Sequence, residues 1–223
     1  MLPSQTGENY LKTIYLAQGD LPSNSDLVPM GQLASAVGVV PGTATTMVKA
    51  LAESGLVHYE PYAGVRLSAA GEKLASLVLR RHRLIELFLV KVLGMSWAEV
   101  HDEAEQLEHA VSERLIERVD DMLGRPEVDP HGDPIPTATG TISRPKHLDL
   151  LSAPLGSALV VTRVIDQGAA FLRFAEQHDL TPGSSVVINM REPASDAVHL
   201  RSATGRPITI GRRAASKVLV RPR

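Results

Sequence analysis

The apolar positions change period along this chain, and each change marks a new element. Tyr10, Leu11, Ile14 and Tyr15 recur at helical spacing and predict a helix over residues 5–19. The following DLPSNSDLVP is too rich in Pro, Ser and Asp to continue it. MGQLASAVG makes a short helix that Gly38 ends, and after a three-residue turn PGTATTMVKALAE predicts a second helix from Pro41 to Glu53. Ala44, Met47, Val48 and Leu51 are its core positions, while Thr43, Thr45, Thr46 and Lys49 lie on other faces. The period then drops to two, with strands expected at Leu56 to Glu60 and Val65 to Ser68 around a turn at Pro61 to Gly64. Helix, turn, helix and hairpin in that order predict a winged helix-turn-helix. Small hydroxyls and one lysine suit a helix laid in a DNA major groove, although they also suit a plain solvated face. Thr43, Thr45, Thr46 and Lys49 are therefore candidate DNA contacts, with Tyr62 and Arg66 of the wing placed against phosphates.

Two longer amphipathic segments follow, Glu72 to Leu93 and Ser96 to Leu123, the second opened by a Ser96/Glu99 capping box. They carry more apolar surface than one helix pair needs, which predicts a dimer interface. If the second segment is one helix, then with His101 at zero Glu105 falls near about 40°, Glu108 near about −20° and His109 near about 80°. Two imidazoles and two carboxylates then share one sector, beside an apolar stripe of Val100, Ala104, Leu107, Val111 and Leu115. His82 and Glu86, at i and i+4 upstream, add a second pair of the same kind. Glutamates and arginines on helices are usually solvated, and Glu113, Arg114, Glu117 and Arg118 read that way. Imidazole with carboxylate, however, suits Mn, Fe, Co, Ni or Zn.

Residues 124–147 are rich in proline and glycine and predict an extended connector, packed at PHGDPIP, where His131 reads as structural. From Leu155 short strands take over: ALVVTRV, SVVINM, AVHLR, PITIG and KVLV, with one helix at Ala169 to His178. A small five-stranded barrel fits them. The fold class is thus α+β and multidomain. We expect a winged helix-turn-helix over residues 1–74, a helical metal-binding and dimerisation domain over 75–140, a linker at 141–152 and a small barrel over 153–223.

The chain has 223 residues, 43% of them apolar, and no cysteine. Disulfides, thiolate zinc sites and iron–sulfur clusters are excluded. No apolar run of membrane-spanning length and no secretory leader occurs, so a cytoplasmic protein without a membrane partner is expected. The net charge of −2 divides unevenly, at −2 for residues 1–74, −4 for 75–147 and +4 for 148–223. Two bound divalent ions would turn the total to +2, which favours a polyanionic partner.

Five strings carry a resemblance: NYLKTIY (9–15), GLVHYEPYAG (55–64), RHRL (81–84), VHDEAEQLEH (100–109) and HGDPIP (131–136). Together they resemble the DtxR/MntR family of metal-dependent transcriptional repressors, whose members often end in an SH3-like, FeoA-type domain. The resemblance implies a homodimer that binds a palindromic operator in double-stranded DNA when Mn(II) or Fe(II) is present and represses metal-uptake genes. It implies about two divalent ions per chain. A primary site would comprise Asn9, Glu105, Glu108 and His109, and an ancillary site His82, Glu86 and His101, completed from the barrel by Asp166 ahead of Gln167 or Glu176. Asn9 stands where Asp or Met is usual. Glu105 stands where manganese-type members have Glu and iron-type members Cys, so the donor set favours Mn(II). Such a protein is not an enzyme and has no small-molecule substrate. The rival from another class is a dinuclear metallohydrolase built on the same six acidic and imidazole side chains, and a third reading is a winged-helix regulator indifferent to metal.

Overall fold

Helix starts and stops follow the local chemistry of the chain. The computed structural model describes residues 4–22, 25–143 and 145–223; residues 1–3, Ser23 and Asn24 in the first loop, and Arg144 in the expected linker lie outside the described residues. Helix α1 (Gln5–Gly19) begins where the Ser4 side chain accepts a hydrogen bond from the Gly7 amide at 3.2 Å. Helix α2 (Met30–Val37) ends on Gly38, at φ 74°, a left-handed conformation that glycine adopts without strain. Helix α3 (Pro41–Glu53) carries proline in its first turn, where the missing N–H removes no helical bond. Strands β1 (Val57–Glu60) and β2 (Gly64–Leu67) pair antiparallel from Val57↔Leu67 to Glu60↔Gly64. Val28 joins β2 through two bonds with Val65, of 2.8 and 3.0 Å. A Cβ at Gly64 would stand 2.5 Å from the Val28 carbonyl oxygen, so this hairpin accepts only glycine there.

The chain divides into two compact units. The first comprises Met1–His82, Glu108–Ala110 and Pro136–Ile142, and the second Arg83–Leu107, Val111–Ile135 and Ser143–Arg223. Tyr10, Leu11, Ile14, Leu33, Val48 and Val65 form the core of the first unit, which extends to Ala75 and Leu79 of helix α4 (Ala69–Lys91). The three winged-helix helices are thus fixed to one another through α1, whose residues Tyr10, Leu11 and Ile14 are fully buried.

In the second unit the expected single helix from Ser96 to Leu123 is two: α5 (Val100–Leu107) and α6 (Glu113–Met122). The break has a local cause. Ser112 adopts an extended conformation and accepts from the Leu115 amide at 3.3 Å, which caps a new helix. Ser96 does not open a capping box at residue 97; its hydroxyl accepts from the Ala98 amide at 3.3 Å, and α5 starts later. Glu108 and His109 consequently sit in the turn between α5 and α6, not on a continuous helical face with His101 and Glu105. Leu84, Val100, Ala104, Ile116 and Ile135 make the helical core of this unit.

The rest of the second unit is a sheet of six antiparallel strands in the order β3-β8-β4-β5-β6-β7. The five expected strands are β4 (Ala158–Val164), β5 (Ser185–Glu192), β6 (Ala197–Ser202), β7 (Pro207–Gly211) and β8 (Val218–Pro222). The short β3 (Leu148–Asp149), lying before the expected domain start, pairs with β8. Helix α7 (Ala169–Gln177) contributes Leu172 and Ala175 to a core with Leu159, Val161, Ile188 and Val218, and α8 (Arg212–Ala215) precedes β8. No described helix is long and apolar enough to cross a membrane.

Candidate metal centre and nucleic-acid interface

In the first unit, α1 and the 108–110 turn bring together side chains about a hundred residues apart. Asn9 Oδ1 lies 2.7 Å from His109 Nε2, and Glu108 Oε1 lies 3.3 Å from the same nitrogen. Separations near about 3 Å are those of donors sharing one ion at 2.0–2.2 Å. On its other side the His109 ring meets Glu8, with Nδ1 2.7 Å from Oε2, and Arg81 donates to that same Glu8 oxygen at 3.0 Å. A carboxylate on the far nitrogen sets the tautomer and orientation of a ligating imidazole. Glu108 is fully buried, and Lys12 donates to its Oε1 at 2.7 Å while its Oε2 lies 2.6 Å from His82 Nδ1. Burial pushes the Glu108 carboxyl up, but the contacts with His82 and Lys12 outweigh it and hold the group below its ordinary value. Amide oxygen, carboxylate and imidazole suit a sulfur-free divalent ion, so the donor chemistry of Asn9, Glu108 and His109 fits the metal that the resemblance implies.

The second unit holds another group. His101 Nδ1 lies 3.3 Å from Glu86 Oε1, and its Nε2 lies 3.9 Å from Glu105 Oε1. Beside them Glu86, Asp129 and His131, all buried, place one donor atom each within 4.8 Å of one another. His131 Nε2 is 2.8 Å from the Trp97 carbonyl oxygen, so the ring proton sits there and Nδ1 carries a lone pair. That Nδ1 is buried without a hydrogen-bond partner among the described residues, and the nearby Glu86 Oε2, at 3.8 Å, is also an acceptor. Imidazole and carboxylate donor atoms facing each other in a buried place suit a divalent cation. Burial, and then the charges of Asp133 and Glu86, push the Asp129 carboxyl well above its ordinary value. The loop is held by Arg83, 3.5 Å from Asp129 and 3.4 Å from Asp133.

The expected ligands are therefore distributed in a specific way. Asn9, Glu108 and His109 converge; Glu105 sits beside His101 on α5. His82 Nδ1 lies 2.6 Å from Glu108 Oε2. Asp166 pairs with Lys217 and accepts from the Gly168 amide at 2.9 Å, and the Lys217 hydrogen bond keeps its carboxyl below the ordinary value. Its neighbour Gln167 reaches the HGDPIP loop, where its amide donates to Asp133 at 2.6 Å, and the Val164 amide donates to the His131 carbonyl at 2.9 Å. Glu8, Lys12, Arg81 and Asp129 were not singled out by sequence, and His131 was read as structural. Only the clustering of Asp129 and His131 in a Pro- and Gly-rich loop offered a signal.

Of the candidate DNA contacts, Thr43, Thr46 and Lys49 of α3 are exposed and Thr45 is partly so. The Thr45 and Thr46 hydroxyls donate to the Pro41 and Gly42 carbonyls at 2.9 and 3.0 Å, so they turn their methyl groups outward. Tyr62 is fully exposed at the tip of the hairpin in a left-handed conformation, φ 65°. Arg66 lies 3.5 Å from Asp26, both solvent-accessible.

Three family descriptions match the chain in order: iron dependent repressor, N-terminal DNA binding domain, over residues 3–65; iron dependent repressor, metal binding and dimerisation domain, over 68–137; and the FeoA domain, over 148–222. A solved manganese-dependent transcriptional repressor in complex with manganese superposes with a TM-score of 0.85 at 37% identity, covering 97% of this chain and 100% of that one. The iron-dependent repressor IdeR of Mycobacterium leprae is 31% identical over 195 residues, 87% of this chain and 76% of the relative. The HTH-type transcriptional regulator MntR of Lysinibacillus sphaericus is 32% identical over 129 residues, 58% of this chain and 89% of the relative. With a winged helix, a helical domain with converging imidazole and carboxylate side chains and a FeoA domain in this order, the chain belongs to the iron-dependent repressor family of metal-dependent, DNA-binding transcriptional regulators.

Proposed function

We propose that this protein is a cytoplasmic, homodimeric, Mn(II)-responsive repressor that binds a palindromic operator and controls metal-uptake genes, with no enzymatic role. The observation that carries this reading is the pairing of Asn9 with His109 at 2.7 Å, because it ties the donor cluster to the first helix of the reading head. Asn9 is followed by Tyr10 and Leu11, both buried in the winged-helix core, so any displacement of Asn9 is passed to α2 and α3 through packed side chains.

When bound, a divalent ion supplies the positive charge that lets carboxylate, imidazole and amide oxygen share one centre. Glu108 and His109 would hold it from the 108–110 turn and Asn9 from α1, while Glu8 and Arg81 keep the His109 ring in place. Glu86, Asp129 and His131, with His101 alongside, form a second cradle, which brings the expected number to about two ions per chain. The sulfur-free donors favour Mn(II), and Fe(II) is the alternative within the family. Binding of metal and operator must be reciprocal: whatever factor metal gives to DNA affinity, DNA gives to metal affinity. In α3, Thr43, Thr45 and Thr46 offer methyl contacts and Lys49 a charge, with Tyr62 and Arg66 at the flanking backbone.

A fluorescence-anisotropy titration of the chain against its own promoter DNA tests the reading, run with Mn(II), Fe(II), Zn(II) and EDTA. Tight binding with Mn(II), lost in EDTA and lost in His109→Ala, is expected. Equal binding with and without EDTA would sink it, and metal-dependent hydrolysis without operator binding would favour the hydrolase.

A further inference from the structure

Lys12 stands one helical turn beyond Asn9 on α1, so both side chains leave the helix on the same side. It is a buried lysine, 6% exposed, and its ammonium donates to Glu108 Oε1 at 2.7 Å. That oxygen is also the Glu108 atom 3.3 Å from His109 Nε2, and His109 Nε2 is 2.7 Å from Asn9 Oδ1. The ammonium therefore holds the same carboxylate oxygen that completes the Asn9, Glu108 and His109 donor set. The other Glu108 oxygen is engaged by His82 at 2.6 Å, so both carboxylate oxygens already have a partner.

The geometry points to Lys12 as a tethered competitor for the metal: its ammonium neutralises Glu108 in the metal-free chain, must be expelled from Oε1 before a divalent ion is held there, and so sets the metal concentration at which the protein responds. This rests on the reading that Asn9, Glu108 and His109 bind the ion. A doubly charged ion and an ammonium on one buried oxygen repel strongly, because little water screens them. The exchange balances: one cation leaves Glu108, one arrives, and the Lys12 side chain carries its charge and protons to solvent on a flexible four-carbon stem. Lys12 does a second thing in the metal-free chain, joining α1 to the 108–110 turn across 96 residues of sequence. A charge-assisted hydrogen bond of this kind is strong enough to shift a competing equilibrium by at least about one order of magnitude.

The test is Mn(II) binding to the full-length, chelator-stripped chain, followed by the electron paramagnetic resonance of free Mn(II), in wild type, Lys12→Gln, Lys12→Met and Lys12→Arg. His109→Ala is combined with each to mark the binding class that belongs to this cluster. Removing the ammonium should tighten the His109-dependent class by about tenfold or more, whereas Lys12→Arg, which keeps a cation, should stay within about threefold of wild type. In the absence of metal Lys12→Gln and Lys12→Met should melt lower than wild type, and saturating Mn(II) should raise their melting temperatures more than it raises that of wild type. Equal or weaker Mn(II) affinity in both folded variants would overturn the competition while leaving the site intact. If His109→Ala removes no binding class in any background, the assignment of the cluster as a metal site fails, and the competition with it.

Discussion

At the scale of single residues, the Asp129–Pro136 loop shows how much depends on one backbone position. Gly132 has φ 86°, and a Cβ there would lie 1.9 Å from the Thr162 carbonyl oxygen. Gly132→Ala therefore meets both a left-handed strain and a backbone clash, and it should destabilise the protein by about 2 kcal/mol or more, read as a lower thermal midpoint. Because His131 immediately precedes this glycine and Asp129 lies three positions before it, the same substitution should also weaken Mn(II) binding at the proposed Glu86, Asp129 and His131 cradle. His131→Phe separates the two effects. The phenyl ring can still stack on Trp97, whose ring is 5.5 Å from the imidazole, but it offers no nitrogen. It should remove one Mn(II) per chain in equilibrium dialysis with a smaller loss of stability than Gly132→Ala; unchanged stoichiometry would argue that His131 only packs. The polar residues of the first site were half legible in sequence. Glu108 and His109 announced themselves as a rare pairing, and the family resemblance supplied Asn9. Glu8, Lys12 and Arg81 read as ordinary surface charges, because the partners that bury them lie 73 to 101 positions away.

At the scale of elements, periodicity located most helices and strands but not the ends set by side-chain hydrogen bonds. Tyr10 to Tyr15 on α1, Ala44 to Leu51 on α3 and the alternation along β4 to β8 all fall inward as their spacing requires. The α5–α6 break was missed because Val111 and Leu115 continue the apolar stripe, while the Ser112 cap that interrupts it is a single hydroxyl. Ser112→Ala should cost about 1 kcal/mol in denaturant unfolding, and by loosening the turn it should weaken metal binding at Glu108 and His109. Ser112→Asp should restore both, since aspartate caps equally well; failure of that rescue would mean the turn does not depend on the cap. In α3 the Thr45 and Thr46 hydroxyls are bonded to the helix backbone, so in the proposed DNA complex their methyl groups and Lys49 would be what the helix offers. Thr46→Val should then retain operator affinity, whereas Lys49→Ala should weaken binding to all sequences alike and lower the slope of log affinity against log salt by about one. A sequence-selective loss in Lys49→Ala would instead place this lysine on a base edge.

At the scale of the whole molecule, the question is what the exposed apolar side chains of the helical segment are for. Leu115 is 50% and Met122 67% exposed, and at i and i+7 they share one face of α6. The same helix already buries Ile116 and Val119 on the adjoining sector, so the apolar stripe of α6 is wider than its core covers. Such a face is kept where another surface covers it, and the proposed homodimer, which the match to a metal binding and dimerisation domain over residues 68–137 supports, would supply a second copy of the chain. A palindromic operator read by two winged helices about one DNA turn apart would need the same arrangement. Leu115→Glu with Met122→Glu places two charges on this face without touching a donor residue. The wild type should elute with a mass about twice the 24.0 kDa of one chain, and the double variant with the mass of one. The variant should keep its Mn(II) stoichiometry, because the donors of both cradles come from a single chain, yet lose operator affinity by about a hundredfold or more as two half-sites are no longer held together. A double variant that stays dimeric would move the interface off this face of α6. One that becomes monomeric but binds the operator as tightly as wild type would show that pairing is not what gives the reading heads their affinity.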